Sequence, residues 1–276
     1  MTYLIPTLDH AVVNLRDRID RGAEIYRRLG FFLTPRGYHT LGSMNHLAMF
    51  GSDSLELIAV PSGDSSRPEI SAAPEGLQGL VFATEDADAT HAAMLRAGVP
   101  VLPPNDFSRP VVVPEGTSDA AFRTVRLKPE AVPDGRVYFC QHLTRGLVWR
   151  DEWRHHANGA TGIARALIGA RDPAVFGTLF GRMFGTGAVR PVAGGCSLTV
   201  GLSRFDVLAP DALAAEFGIA ADGRGVFMAG LEFRTRSLDQ AWQAMETGQI
   251  AGARRDANRV VVPPASACGA VLAFCL

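Results

Sequence analysis

Only four cysteines occur in the 276 residues: Cys140, Cys196, Cys268 and Cys275. No two make a CxxC pair, so neither a disulfide framework nor a zinc knuckle is expected, and the thiols read as buried and reduced. An excess of charge is lacking too, since 27 Lys and Arg stand against 28 Asp and Glu, a formal net charge of −1. That balance excludes the basic face of a nucleic-acid binder and the acidic tail of a disordered chain. Long apolar runs are missing, and the closing AVLAFCL is far short of the roughly 20 residues that span a bilayer. The opening MTYLIPTLDHAVV has no basic leader and no small-residue cleavage site, so no signal peptide is expected and the chain reads as cytoplasmic. Also absent are GxGxxG, the P-loop, HExxH and GxSxG.

What is present is a repeat of form. Four times an apolar strand leads to an Asp or Ser, an amphipathic helix and a glycine. The first runs from LDHAVVNL through Asp17 to Gly30, the second from GLVFATE through Asp86 to Gly98. The third runs from GIARALIGA through Asp172-Pro173 to Gly185, the fourth from FMAGLEFRT through Ser237 to Gly248. Asp or Ser accepts from the free N–H groups of a first turn, and Pro173 loses nothing at a first helical position. A glycine past the last turn takes the left-handed conformation that stops a helix. Phe176, Leu179, Phe180, Met183 and Phe184 recur at helical spacing, a buried stripe that also accounts for the spaced glycines of GTLFGRMFG.

Three short strand-like stretches follow each glycine, punctuated by Gly, Pro, Asp and Asn. They are FFLTPRGYH, MNHLAMFG and SLELIAV; VPVLP, AAFRTVRL and RVYFCQHL; AVRPV, GCSLTVGL and RFDVLAP; ARRDA, RVVVPP and GAVLAFCL. The expected fold is α+β: four βαβββ modules making two paired, curled mixed sheets. One module leaves a sheet face bare, so two modules pair around a concave space where a ligand should sit. The expected division is residues 1–150 for the first pair, 160–276 for the second, and a polar stretch at 150–161 as linker or lid.

Leu8-Asp9-His10, then Arg27-Arg28-Leu29-Gly30-Phe31, then Leu55-Glu56-Leu57, in that order, resemble the vicinal-oxygen-chelate superfamily, and in particular its glyoxalase-like domain proteins. The resemblance covers all four modules in layout and the first in motif. It implies a divalent metal held by a His on a module's first strand and a Glu on its last, with matching residues of the partner module. The offset of His10 from Asp17 falls on Gly79, Arg165 and Gly230 in the other modules, and none of these is an ordinary ligand. Tyr138 takes the place of Glu56 in module two. Alternation puts Tyr138, Cys140 and His142 on one face, so His142 is the expected substitute ligand.

The expected metal set is therefore His10, Glu56 and His142, suited to Fe, Mn, Zn or Ni, with Glu56 and His142 also as catalytic groups. A sheet histidine at 10, an arginine partner for Glu56 and a solvent-facing His142 are the structural alternatives. Arg109 is a candidate for holding an anionic substrate in a bidentate contact. His46, or His39 beside it, is a second binding candidate, while Trp149, Trp153 and His155 can wall the site. The third and fourth modules offer Asp206 without a first-strand histidine, so no metal is expected there.

The leading expectation is a metal-dependent enzyme of isomerase, lyase or dioxygenase type. It would act on a small oxygen-bearing substrate, with no nucleic-acid or membrane partner and with a homodimer as the default assembly. A non-catalytic binding protein of the bleomycin-resistance type, an extradiol dioxygenase and a purely structural partner subunit are the other readings.

Overall fold

A computed structural model describes residues 3–113, 116–132, 134–219 and 225–276. The first module holds β1 (Leu8–Asn14), α1 (Ile19–Arg28), β2 (Gly37–Tyr38), β3 (Met44–Met49) and β4 (Ser54–Ala59), followed by a short α2 (Pro68–Ser71). The second holds β5 (Gly76–Ala83), α3 (Ala87–Arg96), β6 (Asn105–Val113), β7 (Gly116–Arg126) and β8 (Arg136–His142). The third holds β9 (Ala160–Ala170), α4 (Pro173–Phe184), β10 (Val189–Val192), β11 (Gly195–Val200) and β12 (Ser203–Leu208), then α5 (Pro210–Phe217). The fourth holds β13 (Val226–Thr235), α6 (Leu238–Thr247), β14 (Arg254–Arg255), β15 (Val260–Val262) and β16 (Val271–Cys275). Two eight-stranded mixed sheets result, in the matching orders β2-β3-β4-β1-β5-β8-β7-β6 and β10-β11-β12-β9-β13-β16-β15-β14. This is the expected four-module fold.

Three of the four helix starts are capped as expected. Asp86 accepts from the Ala89 N–H, Asp172 from that of Ala174, and Ser237 from those of Asp239 and Gln240. Asp17 does not cap α1, which begins after Arg18 without a side-chain cap. Gly30, Gly98 and Gly185 take positive φ, but Gly248 does not, and Gln249 takes φ +49° in its place. Gly248 serves close approach instead, because a Cβ there would stand 2.0 Å from the Arg28 carbonyl oxygen.

Two elements differ from expectation. VPVLP contributes only an isolated bridge, Val101 to Leu127, and the strand that pairs with β7 is Asn105–Val113. Pro100, Pro103 and Pro104 lack the N–H that a ladder requires, whereas Pro110 is tolerated because β6 is an edge strand. RFDVLAP ends β12, and its Pro210 opens the unanticipated helix α5.

One apolar cluster fills the space between the sheets. Phe31 meets Phe50, Phe233 and Phe274 there, and Phe82 meets Phe184 and Phe205. Each sheet also has a second, concave face. In the first sheet the edges meet: Thr40 donates to the Ser108 carbonyl at 2.9 Å and accepts from its N–H at 3.1 Å, so the sheet wraps around a cavity. In the second sheet α5 lies on the concave face, where Leu213 and Phe217 pack with Leu167, Phe227 and Val271. No described helix is long and apolar enough to cross a membrane.

Candidate active site

The cavity of the first sheet has a volume of about 430 Å³. Its floor is β1, β4 and β8. Regular alternation would send Asp9 and His10 to opposite faces, yet both line the cavity. The cause is a β-bulge: Leu8 pairs with Phe82 and His10 with Val81, so Asp9 is an extra residue against β5. The same irregularity recurs at Gln78 on β5, at the step from Ile163 to Arg165 on β9, and at Ala229 on β13. It belongs to the module, and module one puts a carboxylate on it.

Asp9 holds two imidazoles. Its Oδ1 lies 2.5 Å from His10 Nδ1 and 3.1 Å from His142 Nε2. Burial works to raise the Asp9 carboxyl, but the two histidines outweigh it and hold it well below the usual range. Burial likewise works to lower the His10 pKa, and the Asp9 contact reverses this and leaves it raised. With Nδ1 held by Asp9, His10 presents Nε2 to the Tyr138 hydroxyl at 3.2 Å and to Glu56 Oε2 at 3.7 Å.

Glu56 is 5% exposed and accepts from Asn45 Nδ2 at 2.7 Å, with His39 Nε2 at 3.9 Å. Burial would raise its pKa, and His10, His39 and Asn45 together bring it below the ordinary value. His39 is itself driven down to about 4 by burial, hence neutral near pH 7. Burial pushes the Tyr138 phenol and the Cys140 thiol well up, so both keep their protons.

Rings make one wall. Contacts run from His39 to Phe107, Phe122, His142 and Trp149, with centroid distances of 5.4, 5.1, 5.0 and 4.7 Å. Arg67, Arg109, Arg126 and Arg136 add four guanidinium groups to the lining.

Of the residues singled out in the sequence, His10 and Glu56 converge. His142 does not join their facing atoms; it meets the other side of the His10 ring through Asp9. Arg109 and Trp149 line the cavity, but His46 and His155 do not. His46 pairs with Leu57, one residue out of phase with the cavity-facing Leu47–Glu56 pair, and its Nδ1 meets the Thr34 carbonyl at 2.7 Å. His155 is exposed. Sequence reasoning assigned no role to Asp9, Asn45, Arg67, Arg126 or Arg136. The alternation Arg136, Tyr138, Cys140, His142 along β8 was the available signal for the last arginine.

The fit to a divalent metal differs between two places. At the four positions that the resemblance names, His10 and Glu56 are donors, Gly79 has no side chain and Tyr138 is a protonated phenol, so no cage forms. A Cβ at Gly79 would in addition stand 2.8 Å from Val12 Cβ, so the position is closed to a larger ligand. One step along the sheet, donor atoms of Asp9, Cys140 and His142 lie within 4.8 Å of one another. Asp9 Oδ2 and His142 Nδ1 are buried there without a hydrogen-bond partner. That trio fits a metal in number, and in donor type provided that the Cys140 thiol gives up its proton to bind.

No curated protein matches the chain in sequence. Among solved structures, a hypothetical protein from Staphylococcus aureus superposes with a TM-score of 0.68 at 11% identity, covering 98% of this chain and 99% of that one. A mutant 4-hydroxymandelate synthase from Streptomyces coelicolor superposes with a TM-score of 0.57 at 13% identity, covering 99% and 92%. A fusion of a xylose isomerase-like TIM barrel with 4-hydroxyphenylpyruvate dioxygenase gives 0.57 at 14%, covering 99% of this chain and 49% of that one. At such identities the likeness is one of fold. The family model of the glyoxalase-like domain matches residues 8–183, more than half of the sequence. The chain belongs to the glyoxalase-like domain family, within the vicinal-oxygen-chelate superfamily.

Proposed function

We propose that this protein is an enzyme of isomerase or lyase type that moves a proton on a small oxygen-bearing molecule held in the cavity of the first sheet. The observation that carries this reading is the clamped His10. Asp9 fixes one ring nitrogen, and the other faces Tyr138 and Glu56 in a largely apolar enclosure. An imidazole so oriented is a general acid–base group with its tautomer set, the arrangement that proton transfer requires. Tyr138 is the neutral donor that steadies oxygen charge developing on the substrate. Glu56, held by Asn45, is the second proton-accepting group. Residues 1–150 carry the chemistry in this reading, and 160–276 support the fold beyond the 150–161 connection.

The test is proton exchange. Purified protein is incubated in D₂O with a panel of 2-oxo and 2-hydroxy acids, and loss of the C3 proton of the former and the C2 proton of the latter is followed by NMR. Exchange that His10→Asn abolishes is the expected result. No exchange across the panel, or full exchange by His10→Asn, overturns the assignment.

The Asp9, Cys140 and His142 trio favours a second reading, a metal-dependent enzyme. A divalent ion would be held by those three side chains and would supply Lewis-acid polarisation of a substrate oxygen. Cys140→Ala separates the readings: it releases metal from protein purified with Zn or Fe in the second, and leaves exchange intact in the first.

A further inference from the structure

The cavity holds more positive charge than its own carboxylates neutralise. Arg67 is satisfied by Glu69 at 3.0 and 2.9 Å and by Ser43, and Arg126 lies 4.0 Å from the same carboxylate. Asp9 is taken up by His10 and His142. Among the described residues, no carboxylate lies within hydrogen-bonding distance of Arg109 or Arg136. Arg109 is 4% exposed, and its Nη2 is buried without a hydrogen-bond partner; so are Nε and Nη2 of Arg136. Burying a guanidinium without a counter-ion is costly, and each orphaned N–H adds the cost of an unmade hydrogen bond. Glu56 lies in the field of both and Glu69 in that of Arg136, and the Glu56 oxygens are already engaged by Asn45 and faced by His10.

We propose that the cavity is built for a small organic acid, its carboxylate received by the buried, unpartnered Arg109 and its flat apolar body laid against Phe107, Phe122 and Trp149. Four guanidiniums against Glu56 and Glu69 leave an excess of positive charge in the cavity, which a bound carboxylate reduces. Guanidinium N–H pairs match a carboxylate in geometry as well as charge. The ring wall suits a planar body, and about 430 Å³ is in the range of small-ligand sites. The Trp149 Nε1–H, also buried without a partner, is left for an oxygen at the far end. This inference deepens the reading of the cavity as a substrate site and rests on it.

The experiment is calorimetric titration of the intact protein with phenylacetate, phenylacetamide and phenyl phosphate, which share a ring and differ at the head group. Phenylacetate is expected to bind at least tenfold tighter than phenylacetamide, and at least as tightly as phenyl phosphate. Arg109→Met is expected to weaken it at least tenfold, with folding checked by circular dichroism. The acid-against-amide comparison uses only the unaltered protein, so an unfolded variant does not leave the matter open. Equal binding of acid and amide, tighter binding of the phosphate, or no binding at millimolar concentration overturns the proposal. Binding with the expected order but no proton exchange keeps the anion site and removes the catalytic reading. Exchange without head-group preference does the reverse.

Discussion

Arg165 donates to Asp206 at 2.5 Å across β9 and β12; it pairs with Arg204, two positions before that carboxylate, just as His10 pairs with Ser54, two positions before Glu56, across β1 and β4. The module position that carries an imidazole in the first sheet carries a guanidinium in the second. Arg165 also forks onto Glu216 of α5 at 2.6 and 3.0 Å, pinning the helix into the concavity. Removing one member of a buried ion pair strands the other, so Arg165→Met is expected to lower stability by about 3 kcal/mol. Adding Asp206→Asn should restore part of that. Urea unfolding of the three proteins checks this, and a loss under ~1 kcal/mol for the single variant would contradict it.

His156 makes stability depend on pH. Its Nδ1 accepts from the Phe32 N–H at 3.0 Å and its Nε2 donates to the Met49 carbonyl at 2.9 Å, which fixes a neutral ring. Burial brings its pKa down from 6.5 to about 4. A lowered histidine pKa gives stability that is complete above the unfolded value and is lost as pH falls toward the folded one. Between pH 6.5 and 4 the loss is on the order of 3 kcal/mol. Asp53 works the other way: burial raises its carboxyl to about 6, so its share is present at low pH and fades as pH rises from about 4 to 6. Stability measured from pH 4 to 8 in His156→Gln should show a smaller acid-side drop than the parent, the share of His39 remaining. Parallel curves for the variant and the parent would refute the assignment.

Phe31 ties the two sheets together, with ring contacts to Phe50 on one side and Phe233 and Phe274 on the other. Phe31→Ala is expected to cost about 3–5 kcal/mol, the range for emptying a buried aromatic site. Because the cluster is shared, thermal unfolding should keep a single transition at a lower midpoint. Two separated transitions would show that the halves unfold independently.

Gly37 has a narrower role. A Cβ there would stand 2.5 Å from Asn45 Oδ1 and 2.7 Å from Arg109 Nη1, the tips of two cavity side chains. Gly37→Ala is expected to weaken phenylacetate binding several-fold by displacing Arg109, with stability changed by less than ~1 kcal/mol because those tips can move. Calorimetry beside urea unfolding measures both. Unchanged affinity would mean that Arg109 adjusts without consequence.

The modules were legible in the sequence because their physics is local: caps at Asp86, Asp172 and Ser237, glycine stops, and strand-length apolar runs. The convergence of His10 with Glu56 was implied by the resemblance that the first module's motifs carry, not by any local pattern. What escaped depends on register and on distant contacts. Asp9 turns inward only through a bulge that no residue type signals. His46 and Asn45 are adjacent, and only the pairing of β3 with β4 says that Asn45 faces Glu56. Arg67 and Arg126 reach the cavity from separate segments, α2's edge and β7, which share no pattern. Helix α5 was hidden because RFDVLAP reads as a strand up to the proline that starts the helix.

With Leu213 and Phe217 of α5 occupying the second concavity, the duplicated architecture offers two bowls and leaves one vacant. Saturation should therefore arrive at a stoichiometry of one molecule per polypeptide, and the isotherm should be simple, without the inflection that twin sites of unequal strength would impose.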